Sequence, residues 1–328
     1  MEKPMRVALI GLGQIARTVY GNILRPPKFR LVAVVDKDLS IANDFSKRFR
    51  VPSAFTDLDT LHTRVKDIEA ILICAPSYLH YSLSMRSLCY GWHVFCEKPM
   101  ALSIKHAANM IREADRRNLV LQIGHVVRFQ PEYLRAHSLV KTKFPNQVVT
   151  ARVGRIAALP ESKGNWYLNP RRSGGVIVDL GIHDFDFLIW TLGSVRTVHA
   201  KLQHFDPATH EITVLTTLRF ASKSTARIVT SWSSRAKFRY YFDLRTSEDD
   251  FITYYYPQKT VTIRGTGTAR HVRVESSNPY ADQVNDFHGQ ITGLSSRSCL
   301  PVEAFDALRV CLAATQCIES ETKAIIPS

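Results

Sequence analysis

The sequence has no run of about 18 apolar residues, so no segment is long enough to cross a membrane as a helix. Its six cysteines (Cys74, Cys89, Cys96, Cys299, Cys311 and Cys317) form no CxxC pair and match no zinc template. They read as buried thiols of a reducing cytoplasm. No internal repeat and no low-complexity stretch occurs, which removes solenoids and flexible arrays. No apolar leader with a cleavage site precedes the first strand pattern, so a cytoplasmic location is expected. Acidic residues are the minority, 29 against 43 basic ones, for a net charge of +14. The excess is spread evenly: residues 1–124 carry 18 basic and 11 acidic side chains, the remainder 25 and 18, which is +7 in each part. No basic tail, helix-turn-helix or RNA-binding signature accompanies it, so no nucleic-acid partner is expected. The charge reads as solvated surface, with an anionic substrate as its second use.

The 328 residues are enough for about two domains, and 45% hydrophobic content supplies their cores. Apolar strand patterns at 5–11, 31–36, 70–75, 93–97 and 119–124 alternate with amphipathic helical patterns near 14–24, 40–49, 57–64, 80–90 and 103–117. Such alternation requires right-handed crossovers and a parallel sheet covered on both faces. The pattern stops near Gly124. Seven β-rich segments between 148 and 265 then follow with one helical stretch, 181–192, among them, so their sheet should be large, open and mostly antiparallel. Helical patterns near 280–294 and 302–319 close the chain. The expected architecture is a doubly wound α/β (Rossmann) nucleotide domain, 1–123, and a C-terminal α+β domain, 124–328. The helix at about 302–319 is expected to pack back near the first domain.

Gly11-Leu12-Gly13-Gln14-Ile15-Ala16 is a GxGxxA string directly after a strand and opening a helix. The first glycine permits the tight turn, the second lets a pyrophosphate approach the backbone, and the alanine allows close helix–sheet packing. Free N–H groups at Gln14 and Ile15 and the helix dipole then hold phosphate. Asp36 ends the second strand pattern. Its carboxylate suits the ribose hydroxyls of NAD and repels the 2′-phosphate of NADP, a preference that Lys37 softens. Pro76, Ser77 and His80 follow the third strand pattern, where ligands of open α/β sheets lie. His80 has a second reading as a capping or packing residue. The fourth strand pattern ends in Cys96-Glu97-Lys98-Pro99, which places Lys98 at the nicotinamide side, with Glu97 beside it. An ammonium there can hydrogen-bond a substrate oxygen.

Further on, Val178–Phe187 reads VDLGIHDFDF. Asp179, His183 and Asp186 sit at i, i+4 and i+7, on one helical face within roughly 60°. Residue types alone leave acid–base catalysis and metal ligation both open.

GLGQIA, Asp36, CEKP, GHVVRFQPEY and GGVIVDLGIHDFDFLIWTLG, in this order and spacing, resemble the Gfo/Idh/MocA oxidoreductases over essentially the whole chain. The resemblance implies that Lys98 contacts substrate and nicotinamide, and that Asp179 and His183 face them from a substrate-domain helix. His183 is then the general base, Lys98 steadies the alkoxide, and Asp179 orients His183 or a second hydroxyl. No metal is required. Arg128 occupies a position implied to touch substrate or cofactor, although His125, Val126 and Val127 replace the family's usual Asn-containing run. GHVVRFQP and the VIVDLGIHDFD helix resemble enzymes acting at the 3-hydroxyl of nucleotide-linked amino sugars. NWYLNPRRSGG resembles the inositol and simple-sugar dehydrogenases, which implies Trp166 and Tyr167 against a pyranose face and Arg171 or Arg172 toward an anionic group. Tyr280 falls at a position that lines the family's site or packs in the core. The expected activity is an NAD-dependent (less readily NADP-dependent) dehydrogenase or reductase acting on the CH–OH group of a sugar, cyclitol or sugar nucleotide. A non-catalytic, NAD- and sugar-sensing relative is the alternative. A homodimer or homotetramer through the C-terminal sheet is expected, with no membrane partner.

Overall fold

The computed structural model describes residues 3–161, 164–234, 236–265, 268–295, 299–320 and 322–326. The chain divides into two compact units, Met1–Val126 with Asn278–Phe305, and Val127–Ser277 with Asp306–Ser328.

The first unit is built on six parallel strands: β1 (Met5–Ile10), β2 (Phe29–Val35), β3 (Ser53–Phe55), β4 (Ala70–Ile73), β5 (His93–Glu97) and β6 (Leu121–Gly124). They lie in the order β3-β2-β1-β4-β5-β6, which reverses direction of growth between β1 and β4. Val7 to Leu9, Val32 to Val35 and Ala70 to Ile73 are all buried. Both faces of these strands are therefore covered, as their near-continuous apolar sequences require. The crossovers are a π-helical stretch Ala16–Tyr20 running into α1 (Gly21–Ile23), then α2 (Leu39–Phe49), α3 (Leu58–Arg64), α4 (His80–Cys89) and α5 (Ile104–Arg116). Asp38, Asp57 and Ser103 start α2, α3 and α5 by accepting the backbone N–H of Ser40, Thr60 and His106.

The second unit carries nine strands: β7 (Val148–Ala157), β8 (Val195–Asp206), β9 (Glu211–Phe220), β10 (Thr225–Trp232), β11 (Arg239–Thr246), β12 (Phe251–Tyr255), β13 (Thr260–Arg264), β14 (Arg270–Arg273) and β15 (Ala324–Ile325). Their order is β14-β13-β12-β11-β7-β10-β9-β8-β15. Only β7 and β10 pair in parallel among the described strands of this sheet. Helices α6 (Pro131–Thr142), α7 (Pro170–Ser173) and α8 (Ile182–Leu192) belong to it. Tyr133 of α6, Phe187 of α8 and Phe242 of β11 form one aromatic core, with centroids 4.7–5.4 Å apart.

The remaining helices are α9 (Pro279–Thr292) and α10 (Pro301–Ser320). The sequence reading placed both after the boundary at 124, with the helix at about 302–319 packing back near the first domain. In the structure α9 and the opening of α10, through Phe305, group with the first unit. Val284 and Phe287 of α9 are buried in the same core cluster as Tyr20, Leu72 and Phe95, and the Gln122 amide donates to the Gln283 carbonyl at 3.1 Å. Five of the cysteines are buried as expected, whereas Cys89 is exposed at the end of α4. Among the described residues no helix is long and apolar enough to cross a membrane.

On α6, the His137 ring stacks on Trp190 with centroids 3.6 Å apart. Burial pulls its pKa from 6.5 down to about 4, and repulsion from Lys141 and Arg128 adds to this. The unfolded chain therefore takes up this proton first. The stability this site contributes is complete above pH 6.5 and is lost as the pH falls toward 4. Urea midpoints should fall over that window, and His137→Phe, which keeps an aromatic stack, should flatten the fall. An unchanged slope in the variant would contradict this.

Candidate active site

The first unit holds the nucleotide-loop residues. Gly11 has φ +80°, and a Cβ there would meet the Ala75 backbone Cα and N at 2.5 Å. Only glycine allows β1 to turn this close to the loop after β4. At Gly13 a Cβ would meet nothing within 4 Å, so the backbone stays open to an approaching group. Helical winding begins at Gln14, and Ala16 is fully buried. Asp36 follows β2, and its Oδ2 accepts the Leu12 N–H at 2.9 Å while Oδ1 accepts that of Asp38 at 3.1 Å. The carboxylate thus ties the end of β2 to the glycine loop; Lys37 follows it in the bend that leads to α2. A cradle closed to any Cβ at Gly11, open at Gly13 and flanked by a carboxylate fits a dinucleotide. Gly11→Ala is expected to abolish NAD binding and lower the melting temperature, read by nicotinamide fluorescence and thermal unfolding. Retained binding would contradict the assignment of the loop.

Pro76 and Ser77 follow β4, with Ser77 buried at the start of a short helical turn, Ser77–Leu79. His80 is buried, with Nδ1 2.6 Å from the Pro99 carbonyl oxygen and Nε2 2.8 Å from that of Ala75. Its ring thus bridges the backbone of the loops after β4 and β5. Lys98 is half-buried and its peptide bond to Pro99 is cis. Glu97 Oε1 accepts the Tyr20 hydroxyl at 2.5 Å and Oε2 the Lys98 N–H at 3.2 Å. The Gln283 amide donates to the same Tyr20 oxygen at 3.0 Å, which commits the hydroxyl proton to Glu97. Lost hydration pushes the Glu97 carboxyl up, and the Tyr20 bond and the Lys98 charge oppose this. Tyr280, of α9, packs against the first unit's core and stands edge-on to Tyr20, with centroids 6.3 Å apart.

The second unit holds the His–Asp segment. It is not one uniform α-helix: Ile177–Gly181 is π-wound and carries Asp179, and α8 starts at Ile182. A spacing of 100° per residue therefore does not apply through Asp179. Such π turns occur often at functional sites. Four ionisable side chains lie here, and two of them, Asp184 and Asp186, are held by buried arginines. Arg128 donates from Nε and Nη2 to the two oxygens of Asp186, at 2.9 and 2.7 Å, and both side chains are almost wholly buried. Arg155 donates to Asp184 and to the Tyr133 hydroxyl, each at 3.0 Å. Asp179 is 7% exposed, whereas solvent reaches His183 part-way. Arg128, expected to touch substrate or cofactor, is a bidentate anchor for α8. Trp166 and Tyr167 stack on each other at 3.8 Å, so each already covers one face of its neighbour. Arg171 and Arg172 of α7 are exposed. Among the described residues no group of three or more His, Cys, Asp or Glu is placed to hold a metal ion.

Sequence reasoning missed Tyr20, Gln283 and Arg155. Tyr20 bonds Glu97, Gln283 bonds Tyr20 and Arg155 bonds Asp184 beside His183, each across a long stretch of chain that no local signal marks.

Residues 5–125 match the model described as "Oxidoreductase family, NAD-binding Rossmann fold", and residues 133–267 match the family's C-terminal domain. The chain belongs to the Gfo/Idh/MocA oxidoreductase family. D-glucoside 3-dehydrogenase of Escherichia coli (strain K12) is 29% identical over 229 residues, 64% of this chain and 65% of that protein. The chain thus spans less than two thirds of that relative's length. In fold it is similar to GenD2 from gentamicin A biosynthesis, solved with NAD (TM-score 0.88, 21% identity, 100% and 98% of the two chains). It is also similar to KijD10, a 3-ketoreductase from Actinomadura kijaniata solved with NADP (TM-score 0.84, 19% identity, 95% and 97%). These two neighbours in fold were solved with different nicotinamide cofactors.

Proposed function

We propose that this family member is an NAD-dependent oxidoreductase that exchanges a hydride with a secondary hydroxyl or ketone of a sugar, cyclitol or nucleotide-linked amino sugar. Gly11, Gly13, Gln14 and Ile15 hold the pyrophosphate, and Asp36 with Lys37 meets the adenosine ribose. Pro76, Ser77, Glu97 and Lys98 face the remainder of the cofactor. The bound nicotinamide supplies the hydride acceptor or donor. In oxidation, His183 takes the hydroxyl proton as general base. Lys98 hydrogen-bonds that same oxygen and stabilises the alkoxide as the carbinol carbon gives up its hydride. Asp179 orients His183 or a neighbouring hydroxyl. Reduction reverses these roles.

The observation that carries this reading lies on α8. Asp184 and Asp186 serve ion pairs, while His183 is the ionisable side chain there that solvent reaches. The test is nicotinamide absorbance with NAD or NADP and a panel of polyols, hexoses, hexose phosphates and UDP-sugars. Turnover with at least one compound is expected, faster with NAD. Asp36→Ala should narrow the ratio of kcat/KM for NAD over NADP. Tight NADH binding without turnover of any candidate would favour a sensing role. The sheet face carrying the stacked pair Tyr241 and Tyr255, 5.6 Å apart, is proposed as the homo-oligomer surface. A monomeric mass by light scattering would refute that.

A further inference from the structure

We infer that His80 is an imidazolium and that this buried cation is the positioning residue for Lys98. The inference rests on the reading of Lys98 as the substrate-facing ammonium. His80 starts α4, and its side chain reaches two backbone carbonyls, Ala75 after β4 and Pro99 after β5, at 2.8 and 2.6 Å. A carbonyl oxygen only accepts. A neutral imidazole has one N–H, so one of the two contacts would press a ring lone pair against an oxygen lone pair. Turning the ring over offers no escape. It would set Cδ2 and Cε1 in those places, and C–H···O contacts need about 3.3–3.6 Å. Two donors satisfy both distances, and two donors mean a positive ring. Burial opposes the charge, whereas two carbonyl dipoles bonded to the charged form favour it.

The two carbonyls belong to the two loops that the proposed reaction uses. Ala75 also closes against Gly11 of the nucleotide loop, and Pro99 directly follows Lys98. One ring therefore fixes the backbone from which the Lys98 side chain departs, relative to the nucleotide loop. The titratable side chains of these two loops, of the end of β5 and of the residue next to His80 are Cys74, Tyr78, Cys96, Glu97, Lys98 and Tyr81, and His106 of α5 stacks on Tyr81. Burial raises both thiols, so they stay protonated near neutrality, and Glu97 is the carboxyl among these groups.

The test uses the intact protein without substrate, so it stands or falls independently of turnover. Nitrogen NMR of isotope-labelled histidine at neutral pH, with His80 assigned by its loss in His80→Phe, should show both ring nitrogens protonated. A single protonated nitrogen would overturn the inference. Carbon NMR of reductively methylated lysines, with Lys98 assigned through Lys98→Arg, should show the Lys98 signal shifted in folded His80→Phe. If that variant does not fold, His80→Gln, which keeps an amide donor, takes its place. An unmoved Lys98 signal would remove the positioning role.

Discussion

Lys98→Met and His183→Ala are each expected to lower kcat by about 10²–10⁴-fold, the range that a positioned acid–base group supplies. NAD affinity should change little, because neither residue belongs to the glycine loop or to the Asp36 carboxylate. Methionine is chosen at 98 because it keeps the apolar stem and removes only the ammonium. If the lost interactions exist only in the transition state, kcat and kcat/KM fall together. Steady-state rates and nicotinamide fluorescence titration check both halves. A variant that turns over at the wild-type rate removes that residue from the mechanism.

Asp186→Ala should destabilise the second unit by about 3–5 kcal/mol, because it strands the Arg128 guanidinium without its anion. The two side chains are 1% and 0% exposed, so water cannot replace the lost partner. The double change Arg128→Met with Asp186→Leu should recover much of that loss, since an apolar pair of similar volume avoids burying a lone charge. Urea unfolding of the single and double variants measures both. A loss under about 1 kcal/mol, the scale of a solvated surface pair, would contradict the buried bidentate geometry. The pair also explains why an otherwise apolar helix tolerates Asp186: the carboxylate fastens the helix that presents His183.

Much of the fold was legible because its signals are local. The parallel strands are short apolar runs, and the glycine loop, Asp36 and Cys96-Glu97-Lys98-Pro99 each lie within a few residues of a strand end. What was not legible is of two kinds. Short or weakly patterned elements give no period to read: β3 has three residues, and α6 buries Glu132 alongside Tyr133, Ala136 and Val140 while Leu134 stays exposed. Contacts between distant positions leave no trace in spacing. Gln283 reaches Tyr20 across 263 residues, and Arg155 reaches Asp184 across 29. The DLGIHDFD segment shows the consequence for the site. Its four ionisable residues look alike in sequence, and only the contacts of Arg128 and Arg155 single out Asp186 and Asp184 as anchoring carboxylates. The end of the π turn is close-packed too, with Gly181 against Thr230 of β10 and a would-be Cβ 3.0 Å from its hydroxyl.

The central claim is that Lys98 and His183 serve a single hydroxyl oxygen. A double-mutant cycle on kcat tests it, using the best substrate from the panel. If both act on one oxygen, Lys98→Met combined with His183→Ala is hardly slower than the slower single variant. Losses that simply multiply would mean that the two groups work independently, and the account would fail.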